Sequence, residues 1–176
     1  MYIRHYTVSP ASPKVTKTQD PPPADQVEGR MAVMCDFANG NTPREFVHPA
    51  IRSILLHFWL AYDHPFVDGN GRTARALFYW SMPRCGFWLC EFISISRIIL
   101  RGPAKYTRAF LYTETDQNDL TYFIIYHLDI IRRAVDELHA YWLLPSRHGR
   151  GTYGRRYALL VRRDRPRLPV RLCRVA

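Results

Sequence analysis

No apolar run in this sequence approaches the length of a membrane span. The longest, from Ile51 to Leu60, is broken by Arg52, Ser53 and His57, well short of the roughly 20 residues a span needs. The opening Met1-Tyr2-Ile3-Arg4-His5-Tyr6 lacks the basic-then-apolar order of a secretory leader, so a cytoplasmic location without a membrane partner is the expectation. Cysteine is scarce: Cys35, Cys85, Cys90 and Cys173 form no CxxC pair and match no histidine spacing. That pattern argues against a zinc site or a disulfide framework and leaves buried free thiols as the expectation. Lysine is absent from residues 145–176, which hold ten arginines against one acid, Asp164. The tail thus carries +9 of the net +10, leaving about +1 for residues 1–144, which show no basic stripe for nucleic acid.

What is present suits one globular domain, with 47% hydrophobic and 14% aromatic residues over 176 positions. Proline-rich Ser9 to Gln26 forbids helix and favours a hairpin or loop. Residues 27–38 show a modest helical pattern, ended by Asn39-Gly40-Asn41-Thr42-Pro43. From 47 to about 62, Ile51, Leu55, Phe58 and Tyr62 recur at helical spacing. Further helices are expected over 72–80, 94–100 and 103–113, the last opened by Pro103. Asn118 or Asp119 then caps a long helix with Leu120, Phe123, Ile124, His127, Leu128, Ile131, Val135 and Leu138 in register, closing near Trp142. Strand patterns are scarce, so the fold class is all-α with a small N-terminal hairpin. Residues 145–176, without period or charge balance, are expected to be disordered, a tail for nucleic acid or an acidic surface being the alternative.

One stretch carries chemistry: His64-Pro65-Phe66-Val67-Asp68-Gly69-Asn70-Gly71-Arg72-Thr73-Ala74-Arg75. Two glycines flanking Asn70 call for a loop whose successive N–H groups can nest an anion, and the following helix N-terminus adds unsatisfied donors. Arg72 and Arg75 share a helix face and can clamp phosphate oxygens. Asp68 offers a hard oxygen for Mg²⁺, which takes one or two protein carboxylates beside substrate phosphates. His64, titrating near neutrality, can take a proton from a hydroxyl. Singly, each has a plain structural reading: a His before Pro ends a helix, Asp-Gly makes a turn, paired arginines are solvated. Their coincidence within twelve residues points to a phosphorus-transfer site.

The same stretch resembles the Fic family signature, His-x-Phe-x-(Asp or Glu)-Gly-Asn-Gly-Arg-x-x-Arg, at every defined position. The similarity extends from Val47-His48-Pro49 to Thr115-Asp116-Gln117-Asn118-Asp119, so residues 1–144 are taken as Fic-like. The resemblance implies a Fido-type helical bundle with a β-hairpin flap, and AMP transfer from Mg·ATP to Ser, Thr or Tyr of a protein. It implies His64 as general base, Asp68 as Mg²⁺ ligand, and Gly69, Asn70 and Gly71 as the anion hole. Arg72 and Arg75 would hold the nucleotide's phosphates. Phe66 would pin the loop to the core, where Phe66→Ala would cost roughly 3–5 kcal/mol. Tyr106 falls where the family often has an aromatic near the base. Gly-Asn-Gly-Arg is the adenylyl-transferring version, whereas the related Doc-type kinases carry Ala and Lys at the two glycines. Pro21 to Val27 loosely resembles the segment that pairs main chain to main chain with a target.

The sequence departs from the family in two respects. An inhibitory helix with Ser or Thr, three residues and Glu-Gly is not intact; Ala24-Asp25-Gln26-Val27-Glu28-Gly29 is the nearest version. Restraint would then come from a separate antitoxin-like protein or an upstream segment, or be absent. The opening also looks like the middle of a Fic protein, without the helices that usually precede the flap, and with the Arg-rich end this makes a truncated or inactive relic one alternative to an AMP transferase; a Fic enzyme that removes AMP or transfers another phosphate-linked group, using the same loop, is the other.

Overall fold

The computed structural model describes residues 22–143. After a single 3-10 turn at Ala24–Gln26, six α-helices follow: α1 (Val27–Asn39), α2 (Pro49–Asp63), α3 (Asn70–Arg84), α4 (Ile95–Arg101), α5 (Pro103–Thr115) and α6 (Thr121–Leu143). A second 3-10 turn, Trp88–Glu91, lies between α3 and α4. The described residues contain no β-strand, in keeping with the all-α expectation. Most of the expected hairpin and all of the Arg-rich tail lie outside the described residues.

The punctuation seen in the sequence sets most boundaries. Gly40, at φ 82°, ends α1 in a left-handed cap whose N–H and that of Asn41 return to Phe37 and Asp36 carbonyls. Pro49 and Pro103 open α2 and α5 where no intrahelical N–H is required. His48 caps α2, its Nδ1 accepting from the Ala50 N–H, and Asp119 accepts from the Thr121 N–H at the start of α6.

Two expectations need correcting. Helix α3 starts at Asn70, not Arg72, and runs past Trp80 to Arg84. Gly69, at φ 87°, absorbs the left-handed turn alone, which leaves Asn70 and Gly71 free to be helical. Part of the segment near Pro21 to Val27 is also helical rather than extended, from Ala24 onward. The Gln26 N–H donates to the Pro23 carbonyl, and Val27 is a fully buried residue of α1, so Ala24 to Val27 cannot offer a strand edge.

Helix α2 is central. Ile54 and Phe58 face a core built with Phe78, Met82, Ile95, Ile98, Phe123 and Ile130, while Leu56 and Leu60 face a second cluster with Met34, Phe37 and Leu77. The face expected from Ile51, Leu55, Phe58 and Tyr62 is therefore only part of its buried surface; burial runs around most of the helix. This all-round packing makes the end of α2 a rigid platform for the loop that follows. Cys85 and Cys90 are free thiols. Cys35, against expectation, is disulfide-bonded.

Candidate active site

The loop between α2 and α3 is a strap with a buried inner side and an exposed outer side. His64 ends α2 in the left-handed conformation, φ 48° and ψ 51°, its N–H donating to the Leu60 carbonyl at 3.1 Å. That reversal turns its ring outward, and the residue is exposed. Pro65 is buried, and Phe66 packs half-buried on the Met34, Leu56 and Leu60 cluster. Phe66 thus pins the loop as expected, but as a half-buried side chain it carries less than the energy of a full core phenylalanine.

Asn70 holds the strap closed. It is 2% exposed. Its Oδ1 accepts from the Phe66 N–H at 2.8 Å, and its Nδ2 donates to the Phe66 carbonyl at 2.6 Å. The same Nδ2 lies 3.2 Å from His64 Nδ1. Because both Phe66 partners are main-chain groups, the orientation of the amide is fixed and Nδ2 faces the imidazole. A neutral ring that accepts from Asn70 at Nδ1 carries its proton on Nε2; the other tautomer forgoes this long bond and has its lone pair on Nε2.

Beyond Gly69 the backbone opens towards solvent. Gly69 and Gly71 serve in different ways. Any side chain at Gly69 meets a positive φ, and a Cβ there would come 3.5 Å from Arg72 Nη2. A Cβ at Gly71 would come 3.4 Å from Arg75 Nη1. No side chain caps the start of α3. Its first N–H groups, from Asn70 to Arg72, consequently lack intrahelical acceptors and face the turn with the positive end of the helix dipole.

Asp68 and Arg72 form an ion pair, Oδ2 to Nη2 at 2.7 Å, with side chains 87% and 73% exposed. Such a pair contributes about 0–1 kcal/mol and yields readily to a metal ion or a phosphate. Arg75 is half-buried and has no ion pair among the described residues. Glu28, the carboxylate of the nearest inhibitory-helix match, is exposed on α1 and is not paired with it.

Tyr106 does not present an open stacking face. Its ring packs on Phe110, Phe123, Tyr126 and His127, and its hydroxyl lies 3.1 Å from His57 Nε2. Burial raises its pKa, opposed by the positive charge of Arg75. His57, fully buried on α2, is pushed well below its ordinary pKa by desolvation, then by His127 and by Arg75. Burial also pushes His127 down to about 4, while its Nδ1 holds the Phe123 carbonyl at 3.0 Å. His57, His127 and Tyr106 therefore form a neutral group, and the charge of Arg75 is felt at His57 and Tyr106. The sequence had placed His127 on an apolar helix face, but the pairing of α2 with α6 across this group left no local signal.

The described residues contain no cluster of three His, Cys, Asp or Glu side chains able to hold a metal ion, and no helix long and apolar enough to cross a membrane. One exposed carboxylate, Asp68, beside the uncapped start of α3 is nonetheless a donor set suited to Mg²⁺ shared with phosphate.

A family model described as the Fic/DOC family matches residues 7–82. A protein adenylyltransferase Fic of Nematostella vectensis is 30% identical over 116 residues, 66% of this chain and 25% of that protein. A protein adenylyltransferase of Caenorhabditis briggsae is 41% identical over 58 residues, 33% of this chain and 11% of its own length. The Drosophila melanogaster protein adenylyltransferase Fic is 46% identical over 41 residues, 23% of this chain and 8% of its own. The chain therefore spans a quarter or less of the length of these relatives. No solved structure matches it. The signature loop, complete and folded as a single strap between two helices, lies within the segment that the Fic/DOC family model matches.

Proposed function

We propose that the protein transfers AMP from ATP to a Ser, Thr or Tyr hydroxyl of another protein. The observation that carries this reading is the loop itself: an outward His64 held beside Asn70, an uncapped helix start, and two arginines of which one has no described counter-ion. Its chemistry needs a base, an anion hole and charge neutralisation, and little else from the protein.

In this mechanism the β- and γ-phosphates of ATP lie across Gly69, Asn70 and Gly71, accepting from main-chain N–H groups at the start of α3. Arg72 leaves Asp68 for a phosphate oxygen, and Arg75 completes the clamp. Asp68, released from Arg72, would hold Mg²⁺, which when bound neutralises phosphate charge. His64 takes the proton of the target hydroxyl at Nε2, in the tautomer that carries its own proton on Nδ1. The hydroxyl oxygen then bonds to the α-phosphorus as its bond to the β-phosphate oxygen breaks; pyrophosphate leaves, and AMP stays on the target. Tyr106 supports Arg75 from behind. The target would approach the segment before α1, with Pro22 and Pro23 its described extended part; an antitoxin-like partner would act by supplying a carboxylate to Arg75.

The test is incubation with Mg²⁺ and ATP labelled on the α-phosphate, in a cell lysate, beside His64→Ala. Label on protein with wild type only is the expected result. A folded, ATP-binding wild type that labels nothing would overturn the transferase reading.

A further inference from the structure

Arg30 and Asp63 stand outside the signature loop and outside every role assigned above. Asp63 is the last residue of α2 and directly precedes His64, and its side chain is completely buried. Its Oδ1 accepts from both Nε and Nη2 of Arg30 on α1, at 2.8 and 2.6 Å. Its Oδ2 is buried as well and has no hydrogen-bond partner among the described residues. A carboxylate removed from water this fully is tolerated only beside its cation, and removing one partner of such a pair is far more disruptive than removing both.

The placement matters because of what comes next. His64 adopts a left-handed backbone that non-glycine residues avoid and hold only when the surroundings over-determine it. One main-chain bond, His64 N–H to Leu60, and the Asp63 carboxylate fix the chain on the α2 side; Asn70 holds the ring from the α3 side. Arg30 lies in the first turn of α1, directly after the described end of the proline-rich segment. A different arginine, Arg52, ties α1 to α2 at the far end, donating to the Phe37 carbonyl and to the Thr42 carbonyl at 2.8 Å.

We propose that Arg30 is a positioning residue for His64. By neutralising the buried Asp63 it fixes the end of α2, sets the direction in which the imidazole leaves the strap, and links that direction to the segment where a target would dock. The proposal rests on the transfer reading only in naming His64 the base.

The experiment compares the full chain with Arg30→Met, Asp63→Asn, the double variant, and Arg52→Met as a control for looser α1 packing. Two readouts are taken at a temperature where all are folded: the ¹⁵N resonances of the His64 ring, assigned with His64→Ala, and kcat and KM for AMP transfer. The expected result is that Arg30→Met moves the His64 resonances and lowers kcat by about 10- to 100-fold with KM for ATP unchanged, as a misdirected base requires. The double variant recovers part of both, since it leaves no unpaired buried charge. Should Arg30→Met not fold, Arg30→Lys, which keeps the charge but not the two-nitrogen grip, takes its place. Unchanged resonances in the Arg30 variant, or an equal change in Arg52→Met, would overturn the proposal. If wild type transfers no AMP, the transfer reading fails alone, and the resonances still decide whether Arg30 positions His64.

Discussion

Asn70→Ala should open the strap, and the size of the effect follows from the bonds it makes. The amide serves the Phe66 N–H at 2.8 Å, the Phe66 carbonyl at 2.6 Å and His64 Nδ1 at 3.2 Å. Truncation strands two main-chain groups next to a half-buried ring, at about 1–3 kcal/mol each where they stay dry. Partial access of water to the loop brings the sum to about 2–4 kcal/mol. For a chain of this length that is a fall in Tm of roughly 4–16 °C, read by thermal unfolding followed by circular dichroism. Asn70→Asp separates the bonds: a carboxylate keeps the Phe66 N–H but cannot donate to the Phe66 carbonyl, and it sets an anion beside His64. Its stability loss should be smaller, while the pKa of His64 rises and AMP transfer shifts to higher pH. A Tm for Asn70→Ala within 2 °C of wild type would refute the claim that this side chain holds the loop.

Asp68→Ala should leave the unfolding midpoint almost unchanged, within about 0.5 kcal/mol, because its partner Arg72 is equally exposed, while Mg²⁺-dependent labelling is lost. Phe66→Ala should cost about 2–3 kcal/mol in urea unfolding, below the 3–5 kcal/mol of a fully buried ring, because Phe66 is only half-buried. Stability should also fall with acid. His127 has a folded pKa of about 4 against 6.5 in the unfolded chain, so the unfolded state takes the proton first. Its contribution is intact above pH 6.5 and is lost as pH drops towards 4, by roughly 3 kcal/mol, with His57 acting in the same direction. Urea midpoints at pH 7.5 and 4.5 measure the loss, and His127→Gln should reduce it.

Local chemistry was legible in the sequence where it acts locally. Pro103 at a helix start, Gly40 at a helix end and Asp119 as a cap each decide a boundary with atoms no more than five residues away. The start of α3 was misjudged because two glycines were counted as breakers, when Gly69 takes the whole turn and the Asn70 side chain folds back on Phe66. Asp63 gave no signal, since its partner is 33 residues away and a charged residue at a helix end is ordinarily solvated. Tyr106 drew notice for a role at the base, yet its ring is committed to Phe110, Phe123 and His127, contacts set by how α5 meets α6.

The loop divides its labour by burial. The groups that keep its shape, Asn70, Pro65 and Asp63, are buried, and the Asn70 amide and Asp63 Oδ1 are bonded at short range, so the strap has little freedom to relax. The groups that would meet ATP, Asp68 and Arg72, are exposed and bound only to each other, through a contact that costs about 1 kcal/mol or less to release. Arg75 lies between these classes, half-buried, with its charge felt at His57 and Tyr106. Were His57 to protonate, a second cation would sit in the core behind this guanidinium; burial keeps the imidazole neutral, so Arg75 is the only charge of that group and its field acts on whatever anion enters the turn. A loop built in this way loses activity without stability at Asp68 and both together at Asn70, and that contrast distinguishes a working site from a decayed one that has kept only its shape.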